Sequence, residues 1–281
     1  MSVQTDVRPS ALAGRWYPAD PDELAHNVDG YLTDAQPPEI PGEIIGVVSP
    51  HAGHQYSGPV AGYAFAVLKS AAPELVVILS PMHQPARAPL LTTSHQAYRT
   101  PLGEVAVNRQ MLIEISDKLQ ETEAGELTEI SRDQEHSVEI LIPFLQRALE
   151  GTFQILPIML RRQSPEVAEI LADVLAEQLA GKNALLVAST DLSHFYTSQE
   201  AEQLDQRIIQ EITAFNPDGI YQAEEEGKGY ACGKGALAAA IWAAQKLGAN
   251  HAEHLKYSHS GDVTGNHSRV VGYEAAVLTR R

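Results

Sequence analysis

Two histidines and one cysteine, far apart in the chain, have the types and settings to share a metal ion. His51 lies in Ser49-Pro50-His51-Ala52-Gly53, directly after the apolar run Ile44-Ile45-Gly46-Val47-Val48. His83 lies in Ser80-Pro81-Met82-His83, directly after Leu75-Val76-Val77-Ile78-Leu79. Cys232, the single cysteine among 281 residues, sits in Ala231-Cys232-Gly233-Lys234-Gly235 at the start of an Ala-rich helical pattern. Ligand-binding groups in open α/β sheets gather where strands end and loops begin. Two Pro-His turns at strand ends and a thiol at a helix start can therefore converge. Two imidazoles and one thiolate would leave a transition metal with an open coordination position, the layout of a reactive site.

Each of these residues also has a plainer reading. A lone histidine after a strand is commonly a hydrogen-bonded loop residue, and a lone cysteine a small buried hydrophobe. His51 is set apart by Pro50, which fixes its approach, and by Gly53 and Gly58, which let backbone come close to a bound atom. For Cys232, the helix dipole and Lys234 would favour the thiolate. His54 is a further candidate ligand, not distinguished by spacing from a loop hydrogen-bonder.

The stretch Ser189-Thr190-Asp191-Leu192-Ser193-His194 is another strand end, with an acid and an imidazole three apart. Asp191 either orients His194 as a general acid–base or caps the next helix. His136 lies in Asp133-Gln134-Glu135-His136-Ser137-Val138-Glu139 at the start of a helical pattern, where it can face a cleft. Glu135 and Glu139 read there as helix-terminus carboxylates. His251, His254, His259 and His267 show no ligand-like spacing and most of them read as exposed, while Glu224-Glu225-Glu226 reads as a solvated helix face.

Other chemistries find less support. The chain has no Gly-x-Ser-x-Gly elbow and no complete Gly-rich nucleotide signature. A cysteine nucleophile assisted by histidine remains open, but leaves the two Pro-His strand ends unexplained. The formal charge of −16 argues against nucleic acid, whose phosphates require clustered Lys and Arg. The longest apolar runs fall far short of the roughly 20 residues that span a bilayer. Residues 1–6 lack the basic-then-apolar order of a signal peptide. One cysteine forms no internal disulfide and fits a reducing compartment, so the expectation is a soluble cytoplasmic protein.

The elements that must hold these groups follow from periodicity and turn residues. A Pro- and Asp-rich segment, 1–42, carries one helix over 22–32. Strands are then predicted over 43–49, 74–80, 88–93, 153–159, 184–189 and 270–278. Helices are predicted over 58–70, 108–119, 133–149, 164–180, 198–214 and 232–247. Proline at 59 is assigned to a first helical turn, where its missing N–H costs nothing. Continuous apolar strands suit a sheet covered on both faces, and the alternation predicts one layered α/β domain over 1–281, with a largely parallel or mixed central sheet.

At these residues the chain resembles the Memo family, whose prokaryotic members are called AmmeMemoRadiSam system protein B. The likeness includes Gly14-x-Trp16-Tyr17-Pro18, Pro50-His51-Ala52-Gly53 with Tyr56-Ser57-Gly58, and Pro81-Met82-His83. It continues through Tyr98-Arg99-Thr100-Pro101-Leu102-Gly103, Glu135-His136-Ser137-Val138-Glu139, Ser189 to His194, and Ala231-Cys232-Gly233. It ends with Ser260-Gly261-Asp262-Val263-Thr264-Gly265 and Val271-Gly272-Tyr273. The resemblance implies the fold of class III (LigB-type) extradiol dioxygenases, which hold non-haem Fe(II) with two His and one Glu. It implies His51, His83 and Cys232 as metal ligands, a thiolate replacing the carboxylate. His194 then matches the dioxygenase acid–base histidine, with Asp191 and His136 lining the same pocket. His54 stands where many relatives have Tyr, and Met82 and Gln84 flank His83 where the family often has Ser and a second His. These departures bear on metal preference and substrate.

The leading expectation is thus a metal-dependent oxidoreductase, with Fe(II) favoured and Cu or Zn open, because a thiolate softens the site. The alternative is a non-catalytic metal-binding partner of a radical SAM enzyme and an AMMECR-type protein, as the system name suggests. A zinc hydrolase is third.

Overall fold

The structure, a computed structural model, describes residues 6–131 and 133–281. The reading that residues 1–6 lack a signal-peptide pattern lies, but for Asp6, outside the described residues. In chain order the first half holds β1 (Val7–Arg8), α1 (Pro21–Asp34), β2 (Glu43–Ser49), α2 (His54–Ala66), β3 (Leu75–Pro81), β4 (Leu90–Thr93), β5 (Ala97–Thr100), β6 (Gly103–Ala106), α3 (Arg109–Gln120) and β7 (Thr128–Ile130). A 3-10 turn (Glu139–Leu141) leads into α4 (Ile142–Ala148), then β8 (Gln154–Leu160), α5 (Pro165–Leu179) and β9 (Ala184–Ser189). The rest is β10 (His194–Tyr196), α6 (Ser198–Thr213), α7 (Pro217–Glu225), α8 (Lys234–Lys246), β11 (His251–His259), α9 (Ser260–Thr264) and β12 (Val270–Arg280).

The apolar strands do what their composition dictates: β3 is buried along its whole length, as a strand covered on both faces must be. Four of them, in the order β2-β9-β3-β8, run parallel through the centre of a nine-stranded mixed sheet. β12 pairs antiparallel with β2, and β11 with β12, while β4 and β7 extend the other edge. β1, β5 and β6 form a small separate sheet. α2 packs on β2, β11 and β12 with α1 and α4 behind it; α8 packs on β2, β3, β8 and β9 with α5 beside it. The Ala-rich α8 is buried from Gly235 through Ala244, small side chains letting it lie close between α5 and the sheet. One contiguous apolar core runs through these layers. Among the described residues, no helix is long and apolar enough to cross a membrane.

Because β9 lies between β2 and β3 and all three point the same way, the residues after Ser49, Ser189 and Pro81 emerge side by side. The fold therefore brings His51, Asp191 and His83 to one sheet end.

Four local expectations change. α2 begins at His54, so Pro59 lies inside the helix instead of opening it. Gly58 serves helix packing: a Cβ there would come within 2.5 Å of the Tyr31 ring on α1. The predicted helix over 133–149 is helical only from Glu139, because Glu135 turns back to bind backbone and side-chain groups of the site. Finally, α8 starts at Lys234, leaving Cys232 just ahead of its N-cap, Gly233.

Candidate metal centre

His51 is fixed from behind. Its backbone N–H donates to Asp191 Oδ1 at 2.7 Å, and its Nδ1 meets Ser189 Oγ at 2.8 Å. The Ser189 hydroxyl gives its own proton to the Ser137 carbonyl at 2.7 Å, so it accepts from Nδ1–H. That fixes the tautomer and leaves the His51 Nε2 lone pair free. His83 is held likewise: Glu135 accepts from its backbone N–H at 2.7 Å and meets Nδ1 at 2.9 Å. A carboxylate behind one ring nitrogen presents the other as a metal donor. The same Glu135 accepts from the N–H groups of His136 and Ser137.

The His51 and His83 rings lie 5.2 Å apart, edge to face, and His136 stacks on His83 at 4.5 Å. Donor atoms of His51, His83 and His136 all fall within 4.8 Å of one another, a set able to hold a metal ion. Cys232 is not in that set, but its Sγ lies 3.1 Å from His51 Nε2 and receives the Asp191 N–H at 3.2 Å. Bonds of roughly 2.0 Å to nitrogen and 2.3 Å to sulfur put two tetrahedral ligands about 3.5 Å apart. The His51–Cys232 pair fits a shared ion with a shift of a few tenths of an ångström.

The electrostatics suit a cation as well. Burial, then the neighbouring His136 and His83, push His51 far below its usual pKa, so it is neutral. Burial likewise takes His136 down to about 4, against the pull of Glu135. Burial opposes the Glu135 charge, yet the hydrogen bonds and charge of His83 hold that carboxyl well below its ordinary range. Asp191 is lifted by burial to about 7. The expectation of a dipole-stabilised Cys232 thiolate is not met. Burial, then Asp191, raise the thiol far above its usual value, while Lys234 pairs with Glu224 at 2.7 Å. A cation held here would favour the charged forms of both Asp191 and Cys232.

The three histidines and Asp191 line an open cavity of about 720 Å³. Its walls include Trp16, Tyr56, Tyr273, Phe195 and two arginines, Arg15 and Arg269. His194 also lines it, exposed, with its pKa lowered by desolvation and then by His83. Asp191 makes no hydrogen bond to His194 among the described residues; its Oδ1 is engaged with the His51 amide instead. Nor does Asp191 cap a helix, since α6 is capped by Thr197.

Other predicted residues lie elsewhere. His54 is buried away from the cluster, its Nε2 2.9 Å from the Ile140 carbonyl and its Nδ1 without a partner. Glu139 stands at the start of the helical segment, as its spacing suggests, and is fully buried against Arg8 and Tyr17. His254 bonds to buried Glu274 at 2.8 Å, and His259 is itself buried. The N-terminal segment also contributes: the Trp16 ring lies tilted against His136 with centroids 4.5 Å apart, and the Trp16 carbonyl accepts the His54 N–H. Only the Gly14-x-Trp16-Tyr17-Pro18 motif could have signalled it.

A mixed α/β sheet with a histidine cluster able to hold a metal at the ends of adjacent parallel strands defines the class of this protein. Comparison with known proteins makes it narrower. A family model described as Memo-like protein matches residues 8–277. A MEMO1 family protein of Methanopyrus kandleri is 37% identical over 97% of this chain and 99% of its own length. One from Nitrosopumilus maritimus is 36% identical over 96% and 98%, and one from Thermotoga neapolitana 35% identical over 97% and 100%. The chain belongs to the Memo family.

Proposed function

We propose that this chain is a metal-dependent oxidoreductase, with iron the favoured ion and copper or zinc the alternatives, centred on His51, His83 and Cys232. The observation that carries this reading is the paired fixing of His51 by Ser189 and His83 by Glu135 through Nδ1, which turns the His51 Nε2 lone pair toward the Cys232 sulfur and leaves His83 Nε2 as a donor. Cys232 Sγ beside His51 Nε2 supplies a soft third donor, and His136 is close enough to take its place or join it. A bound Fe(II) or Cu ion would supply one-electron and dioxygen chemistry.

The chain's own residues would do the rest. Trp16, Tyr56 and Tyr273 offer flat apolar walls, and neither Arg15 nor Arg269 forms an ion pair among the described residues. Such a cavity suits a flat, anionic molecule. His194, neutral near pH 7, can accept a substrate proton at a ring nitrogen without Asp191's help. Asp191 acts on position, holding the His51 amide and, through its own N–H, the Cys232 sulfur.

A second reading is a docking platform for a radical SAM enzyme and an AMMECR-type protein. It is favoured by Phe195, 62% exposed beside the cavity.

The test is metal analysis of untagged protein made without chelators, with oxygen uptake measured aerobically. Wild type should carry one redox metal at this centre, and Cys232→Ser should bind it far more weakly with an unchanged circular dichroism spectrum. Unaltered metal content would remove the thiolate from the site. His194→Ala should keep the metal and lose oxygen uptake. Uptake that persists in that variant would favour the platform reading.

A further inference from the structure

A second group of nitrogen and oxygen donors lies beside the segment 260–269, whose Ser260, Thr264, Asn266 and Arg269 line the cavity. His259 ends β11, Asp262 lies in α9, and His267 follows in the loop before β12. Donor atoms of these three lie within 4.8 Å of one another. The rings of His259 and His267 meet edge to face with centroids 5.4 Å apart.

The ring of His259 carries the argument. The residue is nine-tenths buried at 9% exposure. The Asp262 N–H faces the His259 side chain at the start of α9. Even so, Nδ1 is buried with no partner of hydrogen-bonding geometry, although Asp262 Oδ2 is only 3.3 Å away. Leaving a buried polar atom unpaired costs free energy, so an orphan beside a carboxylate, in a cluster that a second imidazole completes, calls for a ligand. The carboxylate is already oriented: Oδ2 accepts from Ser258 Oγ at 2.7 Å and from the His259 N–H at 3.0 Å.

We propose that His259, Asp262 and His267 form a second divalent-metal site, separate from the His51–His83 centre. Two imidazoles and a carboxylate are the donor set of a borderline ion such as Zn(II), and too nitrogen-rich for Mg(II) or Ca(II). Its role is set by position. Ser260, Thr264, Asn266 and Arg269, on the segment these ligands bracket, line the cavity. The segment is tied at one side by Ser198, whose N–H donates to the His267 carbonyl at 2.9 Å, and at the other by the Ser260 hydroxyl, which accepts from Val271 N–H at 3.0 Å. An ion joining β11, α9 and the following loop braces the wall that carries Arg269.

Equilibrium dialysis against Zn(II) at neutral pH tests this with His267→Ala, His83→Ala and the double variant, folding being checked by circular dichroism. His267 is exposed, so its removal leaves the core intact. Wild type should take up two equivalents, each single variant one, and the double variant none. Asp262→Asn should also lose the second equivalent. In the His83→Ala background, Zn(II) should raise the thermal midpoint, and His267→Ala should abolish that rise. Two equivalents retained in His267→Ala would overturn the proposal. So would a wild-type uptake of one equivalent that His83→Ala removes.

Discussion

At the scale of single residues, histidine here serves two opposite ends. His51 and His83 have Nδ1 anchored and Nε2 left for the centre, the former facing the Cys232 sulfur, whereas His54 is buried with Nε2 on the Ile140 carbonyl and Nδ1 unpartnered. Burial lowers the His54 pKa to about 4, the bond to Ile140 opposing only in part. The unfolded chain would bind a proton near pH 6.5 that the folded chain refuses. A histidine depressed in this way leaves stability intact above its unfolded pKa and removes it as pH falls toward the folded value. The loss between pH 7 and pH 4 should be roughly 3 kcal/mol. His54→Leu should flatten that limb relative to wild type, as urea midpoints at the two pH values would show. Equal pH slopes would mean that His54 is protonated without unfolding. His54 also shows what residue type alone concealed. Adjacency to His51 left ligand and hydrogen-bonder equally open, and the answer depends on which way the first turn of α2 faces. For His259 and His267 the sequence offered no spacing at all, because a turn of α9 and a loop bring them together.

At the scale of elements, the centre depends on how closely α8 begins against the end of β9. The Cys232 N–H donates to the Asp191 carbonyl at 3.0 Å, and the Gly233 N–H to Thr190 Oγ1 at 2.9 Å. A Cβ on Gly233 would come within 2.5 Å of the Ser189 carbonyl oxygen and 2.9 Å of Thr190 Cβ. Neither group is the free end of a flexible chain. Gly233→Ala should therefore push the helix start away from the strand end and carry Cys232 off His51. The expected cost is about 1–3 kcal/mol of stability, as for other overpacked sites. Metal affinity should fall at least about 10-fold, the size of effect seen when groups supporting ligands are altered. A metal titration beside urea unfolding would decide it, and full affinity at reduced stability would free Cys232 from the helix start. The parallel strands and both Pro-His turns were legible because continuous apolar runs ending in Pro and Gly have few alternatives. The 133–149 segment was misread because its apolar pattern from Val138 onward is helical in type. Ahead of it, Glu135 finds more donors by folding back over His83 than a helix terminus could give it.

At the scale of the whole molecule, the N-terminal segment and the Glu135–His136 loop are joined by one buried charge cluster. Arg8 pairs with Glu139 and, at 2.8 Å, with Asp133, and it donates to the Glu135 carbonyl at 2.8 Å. Glu139 also accepts from the Leu12 N–H at 3.0 Å and from the Tyr17 hydroxyl at 2.6 Å. Tyr98 of the small sheet lies 4.9 Å beneath the Arg8 guanidinium. Burying these charges is costly, and the cluster adds little net stability over an apolar replacement. Removing one partner is another matter, since it strands the other in a dry interior. Glu139→Gln should lower stability by about 3–5 kcal/mol in urea unfolding. It should also raise protease sensitivity ahead of Pro21, where Arg15 and Trp16 form part of the cavity wall. Pairing it with Arg8→Met, which removes the stranded cation, should recover part of the loss. If the double variant is as weak as the sum of the singles, Arg8 and Glu139 contribute independently. The N-terminal segment would then be held by its backbone bonds to the core, not by this ion pair.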